Sequence, residues 1–290
     1  RTGDWETYFG NAAHDKVCAP RTSVGVRRWS FPIAQLLGAP KDYVDRPQIT
    51  TRDPNTGQVR SFTRLDTYLT ARGPYLFLCN ARIVGCHPVA GPDPERPQFW
   101  YPSPSGIWAA RVPGPLPSDN YFGLPAQLCF CTLGEDHLYA VLGAQPVSRT
   151  PRWFGGGGDQ RQPPNWMVAV GRKRGGRLGL ESGSLLWTLE PGSDPDCRIN
   201  SRTDQKWLSE IYFPCAPTWA EGALYALAVE DSASCRTSYA AASDASTGRL
   251  LWRTKLCSGA PPFFSSGAQP AMGLPVAVSG GTVYCVTNLG

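Results

Sequence analysis

Residues 242–252 place an aspartate, a Thr-Gly pair and a tryptophan at fixed distances, and this spacing constrains the fold more than any other feature of the chain. Asp244 stands ahead of Thr247 and Gly248, and Trp252 follows the turn. Glycine gives a tight turn the backbone freedom it needs, and an aspartate can bond the amides of such a turn. A docked tryptophan buries roughly 150–250 Å². The segment therefore predicts two short strands joined by a tight turn, with Trp252 as the anchor of the second strand.

Short apolar stretches separated by glycine or aspartate turns recur along the chain. The sequence contains 31 Gly, 28 Pro, 10 Trp and 11 Tyr residues, which favours short strands and many turns over helical bundles. Apolar residues at helical spacing occur only in 32–37. The pattern predicts antiparallel pairs of 75–79 with 81–86, 127–132 with 137–142, 166–170 with 177–180, 217–219 with 223–229, 239–243 with 249–252, and 274–278 with 282–287. The predicted fold class is all-β.

Tryptophans that end an apolar strand recur along the chain, 65 to 87 residues apart. They are Trp29, Trp100, Trp187 and Trp252. A repeat unit of four short strands needs about 40–50 residues, so each unit has room for an inserted loop. Segments rich in Pro, Gly, Arg and Asp fit these insertions: 38–72, 112–119, 145–165 and 192–207. We expect them on the surface.

Residues 242–252 resemble, at every defined position, the A-x-D-x-x-T-G-x-x-x-W repeat of the pyrroloquinoline-quinone (PQQ)-like β-propeller family. Residues 182–187 keep the Ser-Gly turn and the tryptophan of this repeat, whereas 98–100 keep only the tryptophan. The segments 4–13 and 26–29 resemble the first strands of such propellers. The chain is similar in style to the lipoprotein family of the outer-membrane β-barrel assembly machinery. It is also similar to the PQQ-like repeat proteins of planctomycete-type bacteria.

This resemblance implies a β-propeller of four-stranded antiparallel blades, with one propeller domain over residues 1–290. It also implies that the motif residues are architectural, because the tryptophan docks between adjacent blades. The predicted blade-docking residues are Trp29, Trp100, Trp187, Asp244, Thr247, Gly248 and Trp252.

Four closing tryptophans predict about four blades, and residues 280–290 resemble the start of a fifth. A propeller has to close, because an open one leaves sheet edges and an apolar blade face bare. Propellers of the resembled family usually have seven or eight blades. We therefore expect an incomplete propeller of about four to five blades with long loop insertions, completed by further blades of the same or another chain. A small closed ring of four or five blades is the alternative.

The ten cysteines are more than a cytosolic chain of this length usually carries. Their spacing forms no paired C-x-x-C units, which argues against a structural zinc site. Two interpretations stay open: disulfides in an oxidising compartment, or buried free thiols within strands. Cys79 and Cys86 flank a short turn and could pair across a hairpin, whereas Cys129 and Cys131 face one side of a strand. We expect a periplasmic, cell-envelope or extracellular location.

The sequence contains no motif that predicts a catalytic or metal-binding site. The histidines His14, His87 and His137 are far apart, and there is no nucleophile elbow, H-E-x-x-H pair or Walker loop. The net charge is +5, and the basic run 171–177 lacks interleaved aromatics. We therefore expect a charged turn there and no nucleic-acid partner. No apolar run reaches about 18 residues, so we expect no transmembrane segment.

Two function classes follow from the resemblance. A quinoprotein dehydrogenase of this family binds PQQ and Ca²⁺ at the propeller axis and stacks an adjacent Cys-Cys pair on the quinone. The nearest match here is Cys129-Phe130-Cys131, so we expect no cofactor and no enzymatic activity. The predicted function is a non-catalytic scaffold of the bacterial cell envelope that binds a protein or other ligand through its inserted loops. A PQQ-dependent oxidoreductase is the alternative.

Overall fold

A computed structural model describes the chain over segments that are mainly β-strands and the turns between them. These segments are 48–52, 59–63, 68–72, 75–79, 84–88, 99–101, 130–142, 166–171, 184–189, 206–208, 210–232, 235–260, 263–264, 267–268 and 273–287. Most of these residues lie in antiparallel sheets, which confirms the all-β prediction. A short helical stretch includes 206–208.

Three larger sheets follow one another along the chain, and in each of them hydrogen-bonded neighbours run antiparallel. Sheet 1 has the order β3 (Tyr68–Arg72), β4 (Tyr75–Cys79), β5 (Val84–Pro88) and β6 (Phe99–Tyr101). Sheet 2 has the order β7 (Cys131–Leu133), β8 (His137–Leu142), β9 (Trp166–Gly171) and β10 (Leu185–Leu189). Sheet 3 contains β12 (Thr218–Ala220), β13 (Ala223–Asp231), β14 (Arg236–Asp244) and β15 (Leu250–Gly259), and β11 (Ile211–Tyr212) also pairs with β13.

The remaining described strands form two-stranded antiparallel sheets. They are β1 (Gln48–Arg52) with β2 (Val59–Thr63), β16 (Phe263–Phe264) with β17 (Gly267–Ala268), and β18 (Ala277–Ser279) with β19 (Thr282–Tyr284). The β18–β19 hairpin follows sheet 3 in the chain and packs beside it, since β18 contacts β12.

Two-residue turns with positive φ build the sharpest hairpins. Glu221 (φ 51°) and Gly222 (φ 79°) join β12 to β13, and Gly280 (φ 56°) and Gly281 (φ 73°) join β18 to β19. Two central residues of positive φ give such a turn the twist of the strands that flank it. Glycines between the predicted strand pairs therefore sit where the chain reverses direction.

One predicted strand pair is wrong. The residues 166–170 were expected to pair with 177–180, but β9 pairs with β8 on one side and with β10 on the other. Both edges of β9 are taken, so the next apolar stretch in sequence is not its partner. The glycine-rich residues between them favoured a local turn, and the sheet instead uses the later strand β10.

The disulfide interpretation of Cys79 and Cys86 is also wrong. Both cysteines are buried, and neither forms a disulfide. The register places Cys79 opposite Val84 and Cys86 opposite Phe77, so the two cysteines are diagonal neighbours. Diagonal residues lie roughly 7–8 Å apart, whereas the Cβ atoms of a disulfide are about 3.8 Å apart. Of the two interpretations of the cysteines, burial within strands describes this pair.

Sheet 2 lies between sheet 1 and sheet 3, and each of its faces carries a buried apolar cluster. The cluster toward sheet 1 contains Phe77, Cys79, Val84, Cys86, Cys131, Leu133, Leu138, Ala140, Leu142, Val168 and Val170. The cluster toward sheet 3 includes Tyr139, Val141, Met167, Trp187, Leu189, Ile211, Leu224, Ala226 and Leu250. Alternate residues of β8 contribute to the two clusters, as expected for a strand buried on both faces.

A hydrogen bond from a threonine hydroxyl to a backbone carbonyl repeats between the first strands of consecutive sheets. The pairs are Thr70 to Cys131 (3.1 Å), Thr132 to Pro217 (2.5 Å) and Thr218 to Val276. Each acceptor immediately precedes the equivalent position of the next sheet, and in β18 that position is Ala277. We call these three bonds the threonine ladder. They join sheets 1, 2 and 3 and the β18–β19 hairpin in chain order.

Candidate functional site

The turn 244–248 is organised by one carboxylate oxygen. Oδ1 of Asp244 accepts hydrogen bonds from the backbone N–H groups of Ser246 (3.0 Å) and Thr247 (2.8 Å) and from both hydroxyls (2.7 and 2.9 Å). Gly248 has a φ of 74°, and its N–H donates to the carbonyl of Asp244 (2.8 Å). Burial raises the pKa of Asp244, but these hydrogen bonds outweigh it, so the pKa lies below its usual value.

The indole of Trp187, on sheet 2, lies against this turn of sheet 3. Its Nε1 donates to the carbonyl oxygen of Ala245 at 3.1 Å. A Cβ added at Gly248 would lie 2.8 Å from the ring atoms Cδ2 and Cε3, so a side chain at this position has no room. The ring is only 2% exposed. This contact joins two sheets by a hydrogen bond and by a large buried apolar surface.

Trp252 occupies in sheet 3 the position that Trp187 occupies in sheet 2. Each ends a Leu-Leu-Trp sequence, and in each sheet the second leucine bulges out of register. Trp187 pairs with Ala169, and Trp252 pairs with Ala242. Each ring also lies beside a tyrosine of its own sheet: Tyr139 with Trp187 (6.1 Å between centroids) and Tyr225 with Trp252 (6.2 Å). The two sheets therefore repeat one local design.

The structure brings some of the predicted docking residues together and leaves others apart. Trp187 lies on the turn 244–248, which contains three of the predicted residues. Trp252 is 40% exposed and lies on no such turn within the described segments. Trp100 is part of β6, but its side chain lies outside the described residues, as does the whole of Trp29. Docking by these three tryptophans stays a prediction.

Sequence reasoning missed the threonine ladder. Its signal was a spacing of seven residues between the threonine of the first strand and an aromatic residue of the second strand. The pairs are Thr70 with Phe77, Thr132 with Tyr139, and Thr218 with Tyr225, and the spacing recurs between Ala277 and Tyr284. This spacing places the two residues on neighbouring strands across a short turn, so it could have aligned the repeats without the tryptophans.

A partly buried ion pair holds the turn end of the β13–β14 hairpin. Nε and Nη2 of Arg236 donate to the two carboxylate oxygens of Asp231 at 2.7 and 2.8 Å, and the Tyr212 hydroxyl donates to the same carboxylate at 3.1 Å. Burial lowers the pKa of Arg236, but the paired carboxylate outweighs it and leaves the pKa above its usual value. Asp231 therefore bonds a fully buried guanidinium at the end of β13.

Aromatic and charged side chains also meet at the edge of the cluster between sheets 2 and 3. The Arg253 guanidinium lies 4.7 Å from the centroid of the Trp207 ring, and Tyr239 meets this ring edge-on at 5.5 Å. The Tyr239 hydroxyl donates to Glu230 at 2.8 Å, and burial together with that carboxylate raises the pKa of Tyr239 to about 12. These contacts close the edge of the core.

Two cysteines are buried between strands in their thiol form. The Cys131 sulfur lies 3.0 Å from the Thr70 hydroxyl, and the Cys215 thiol donates to the carbonyl of Leu274 at 3.3 Å. Burial raises the pKa of both thiols to about 12. A thiol this far from ionisation is a poor nucleophile, so these cysteines have a packing role. None of the seven cysteines in the described segments forms a disulfide.

Within the segments that the structure describes, no group of three or more His, Cys, Asp or Glu residues is arranged to hold a metal ion. The described residues also include no helix that is long and apolar enough to cross a membrane. No protein-family model matches this sequence, and no curated protein matches it. The fold and contacts define an all-β protein of consecutive antiparallel sheets, held together by the threonine ladder and by Trp187.

Proposed function

We propose that this chain is a β-propeller scaffold of the bacterial cell envelope, in which the sheets are blades and inserted loops bind a protein partner. The observation that carries the proposal is the contact of Trp187 with the turn 244–248. This contact fixes β10, the last strand of sheet 2, to sheet 3. The hydrogen bond of Thr132 fixes β7, the first strand of sheet 2, to sheet 3 as well. Two attachments per pair of sheets give a rigid frame for loops.

The order of the sheets supports the propeller part of the proposal. Strand β3 contacts β7, β7 contacts β12, and β12 contacts β18, so each first strand lies beside the first strand of the next sheet. Four-stranded antiparallel sheets that pack face to face around neighbouring first strands are the units of a propeller. The design of sheet 2, repeated in sheet 3, is what a blade repeat requires.

The binding part of the proposal rests on where the insertions enter the frame. The insertion 145–165 connects β8 to β9, and 192–205 leads from β10 toward the short helical stretch at 206–208. The predicted insertion 192–207 was too long, because Trp207 is buried in the core. Both insertions connect elements with residues that are buried in the cluster between sheets 2 and 3. Long connections on a rigid frame commonly carry binding residues.

A loop replacement tests this function. Residues 145–165 are exchanged for a Gly-Ser linker of equal length in one variant of the full chain, and residues 192–205 are exchanged likewise in a second variant. We expect the purified envelope partner to bind the 145–165 variant about tenfold more weakly than the unmodified chain, as measured by the dissociation constant. The melting temperature of this variant should equal that of the unmodified chain. Equal binding by the unmodified chain and both loop variants would contradict the proposal.

The PQQ-dependent alternative is tested with the same preparation. The closest counterpart of the quinone-stacking cysteines in the described segments is Cys131, which is buried in the cluster between sheets 1 and 2 and bonded to Thr70. This cysteine does not fit a quinone-stacking role, because its environment is closed by side chains. We expect PQQ with Ca²⁺ to leave the melting temperature unchanged, whereas specific binding would raise it by mass action.

A further inference from the structure

A small cavity lies within the apolar cluster that sheets 2 and 3 share. Its volume is about 20 Å³. Among the described residues that line it, only Trp207 and Ser243 have an N–H or O–H group on the side chain. A cavity holds a water molecule once its volume exceeds roughly 10–15 Å³. This cavity therefore has room for one water molecule, and its lining offers that molecule two polar groups.

Sheet 3 carries smaller side chains than sheet 2 where the cavity lies. Each sheet pairs the tyrosine beside its tryptophan with an alanine, and counting from this pair aligns Val168 and Val170 of β9 with Ala241 and Ser243 of β14. The two valines belong to the buried cluster between sheets 1 and 2, whereas Ala241 and Ser243 line the cavity. Serine has one hydroxyl where valine has two methyl groups. Sheet 3 therefore has both more space and a polar group at this point.

The indole N–H of Trp207 is a buried hydrogen-bond donor beside this space. Trp207 is 5% exposed, and no residue of the described segments accepts a hydrogen bond from its Nε1. The hydroxyl of Ser243 lines the same cavity but is not the acceptor, so it lies beyond direct hydrogen-bond reach. A buried indole N–H usually has a partner, because an unsatisfied donor in the core is unfavourable. The donor, the hydroxyl and the space between the sheets together indicate a bridging molecule.

We propose that the cavity is a binding site for one water molecule, which accepts the N–H of Trp207 and hydrogen-bonds to the hydroxyl of Ser243. Buried waters typically make about two to four hydrogen bonds to groups that otherwise have no partner, and these two side chains supply the first two. The water bridges the helical stretch at 206–208 to β14, so it fixes the point where the insertion 192–205 rejoins sheet 3. The site does not depend on loop binding, and its failure would leave the scaffold function standing.

A high-resolution crystal structure of the full chain tests the site directly. We expect one ordered water within about 3.2 Å of both Nε1 of Trp207 and Oγ of Ser243. Ser243→Val gives sheet 3 the side chain that sheet 2 has at Val170, and it should remove this water. A cavity without a bound water in the unmodified chain, or an indole N–H that donates to a protein atom instead, would overturn the proposal.

Melting temperatures distinguish a bound water from a dry cavity in solution. If water binds, Ser243→Val expels it and leaves the N–H of Trp207 without an acceptor, so we expect the melting temperature to fall by about 2–4 °C. In a Trp207→Phe chain, which lacks that N–H, the same substitution should change the melting temperature by less than about 1 °C.

The Trp207→Phe background is the control for crowding, because a valine that is too large for the cavity would lower the melting temperature equally in both chains. An equal fall in both chains would therefore overturn the proposal. A rise in the otherwise unmodified chain would also overturn it, since valine stabilises a dry apolar cavity by filling it.

Discussion

The hydroxyl of Thr132 donates to the carbonyl oxygen of Pro217 across 2.5 Å, and this bond joins sheet 2 to sheet 3 inside the protein. Both residues are buried. The substitution Thr132→Val keeps the shape of the side chain but leaves that carbonyl without its donor. An unsatisfied buried acceptor costs roughly 1–3 kcal/mol, so we expect the free energy of unfolding in urea to fall by about that amount.

Thr237→Val is the matched control, because the bond between Thr237 and Ser258 lies at the surface. This variant should change the free energy of unfolding by less than about 0.5 kcal/mol. If the two variants have the same free energy of unfolding, the bond of Thr132 stabilises the protein no more than a surface threonine bond does.

Two glycines of positive φ separate backbone strain from the contact with Trp187. Gly222 (φ 79°) has no atom within 4 Å of an added Cβ, whereas a Cβ at Gly248 (φ 74°) would lie 2.8 Å from the indole ring. Gly222→Ala should lower the free energy of unfolding by about 1 kcal/mol, because alanine is strained in the left-handed backbone conformation. Gly248→Ala should cost about 3 kcal/mol, because it must also displace the ring. Unfolding in urea measures both, and equal losses would mean that the ring moves aside freely.

The carboxylate of Asp244 gives the turn 244–248 a dependence on pH. Its pKa is lowered in the folded protein, so its contribution to stability is complete above the unfolded value of about 3.9 and is lost as the pH falls through the folded value. Asp244→Asn keeps an acceptor oxygen but does not titrate. We expect the stability difference between the unmodified chain and this variant to shrink as the pH falls from about 7 to about 3.

The size of this effect should stay below about 1 kcal/mol, because the carboxylate is largely exposed and screened by solvent. Urea unfolding across the same pH range measures it for both proteins. A difference that grows toward acid pH would mean that the folded protein raises, not lowers, the pKa of Asp244.

The buried thiols should resist alkylation in the native protein. Cys131 and Cys215 have a pKa near 12 because they are buried, so they carry almost no thiolate near neutral pH. We expect iodoacetamide to label both only after unfolding, as measured by mass spectrometry with and without urea. Cys257, which is half-buried, is the internal comparison and should label first. Rapid native labelling of Cys131 would contradict the buried contact with Thr70.

Local patterns predicted the hairpins with glycine turns because each of their strands carries its own signal. Alternating apolar residues and a glycine turn define β12, β13, β18 and β19 from sequence alone. The prediction of 38–72 as a surface loop was wrong, since this segment contains β1, β2 and β3 and Thr70 is buried. The partner of β9 was predicted wrongly, since pairing depends on a strand beyond an insertion, which no local pattern encodes. The ion pair of Asp231 with Arg236 has no local sequence signal either, because only the folded hairpin brings the two residues together across its turn.

The site was predictable in part for the same reason. The bonds of Asp244 to its own turn are local, so the motif at 242–252 contains them. The surface that receives Trp187 belongs to the next sheet, 58 positions away along the chain. The repeat motif identifies the tryptophan and the turn, but it does not show that they contact each other. Trp252 illustrates this, because it belongs to the same motif as Trp187 but has a different exposed fraction.

The threonine ladder connects each sheet only to its immediate neighbours, and this has a consequence for cooperativity. An array with nearest-neighbour coupling has a stability that is the sum of unit and interface contributions. Sheet 2 gains from two interfaces, whereas the β18–β19 hairpin gains from one among the described elements. Local opening should therefore start at that hairpin and propagate inward.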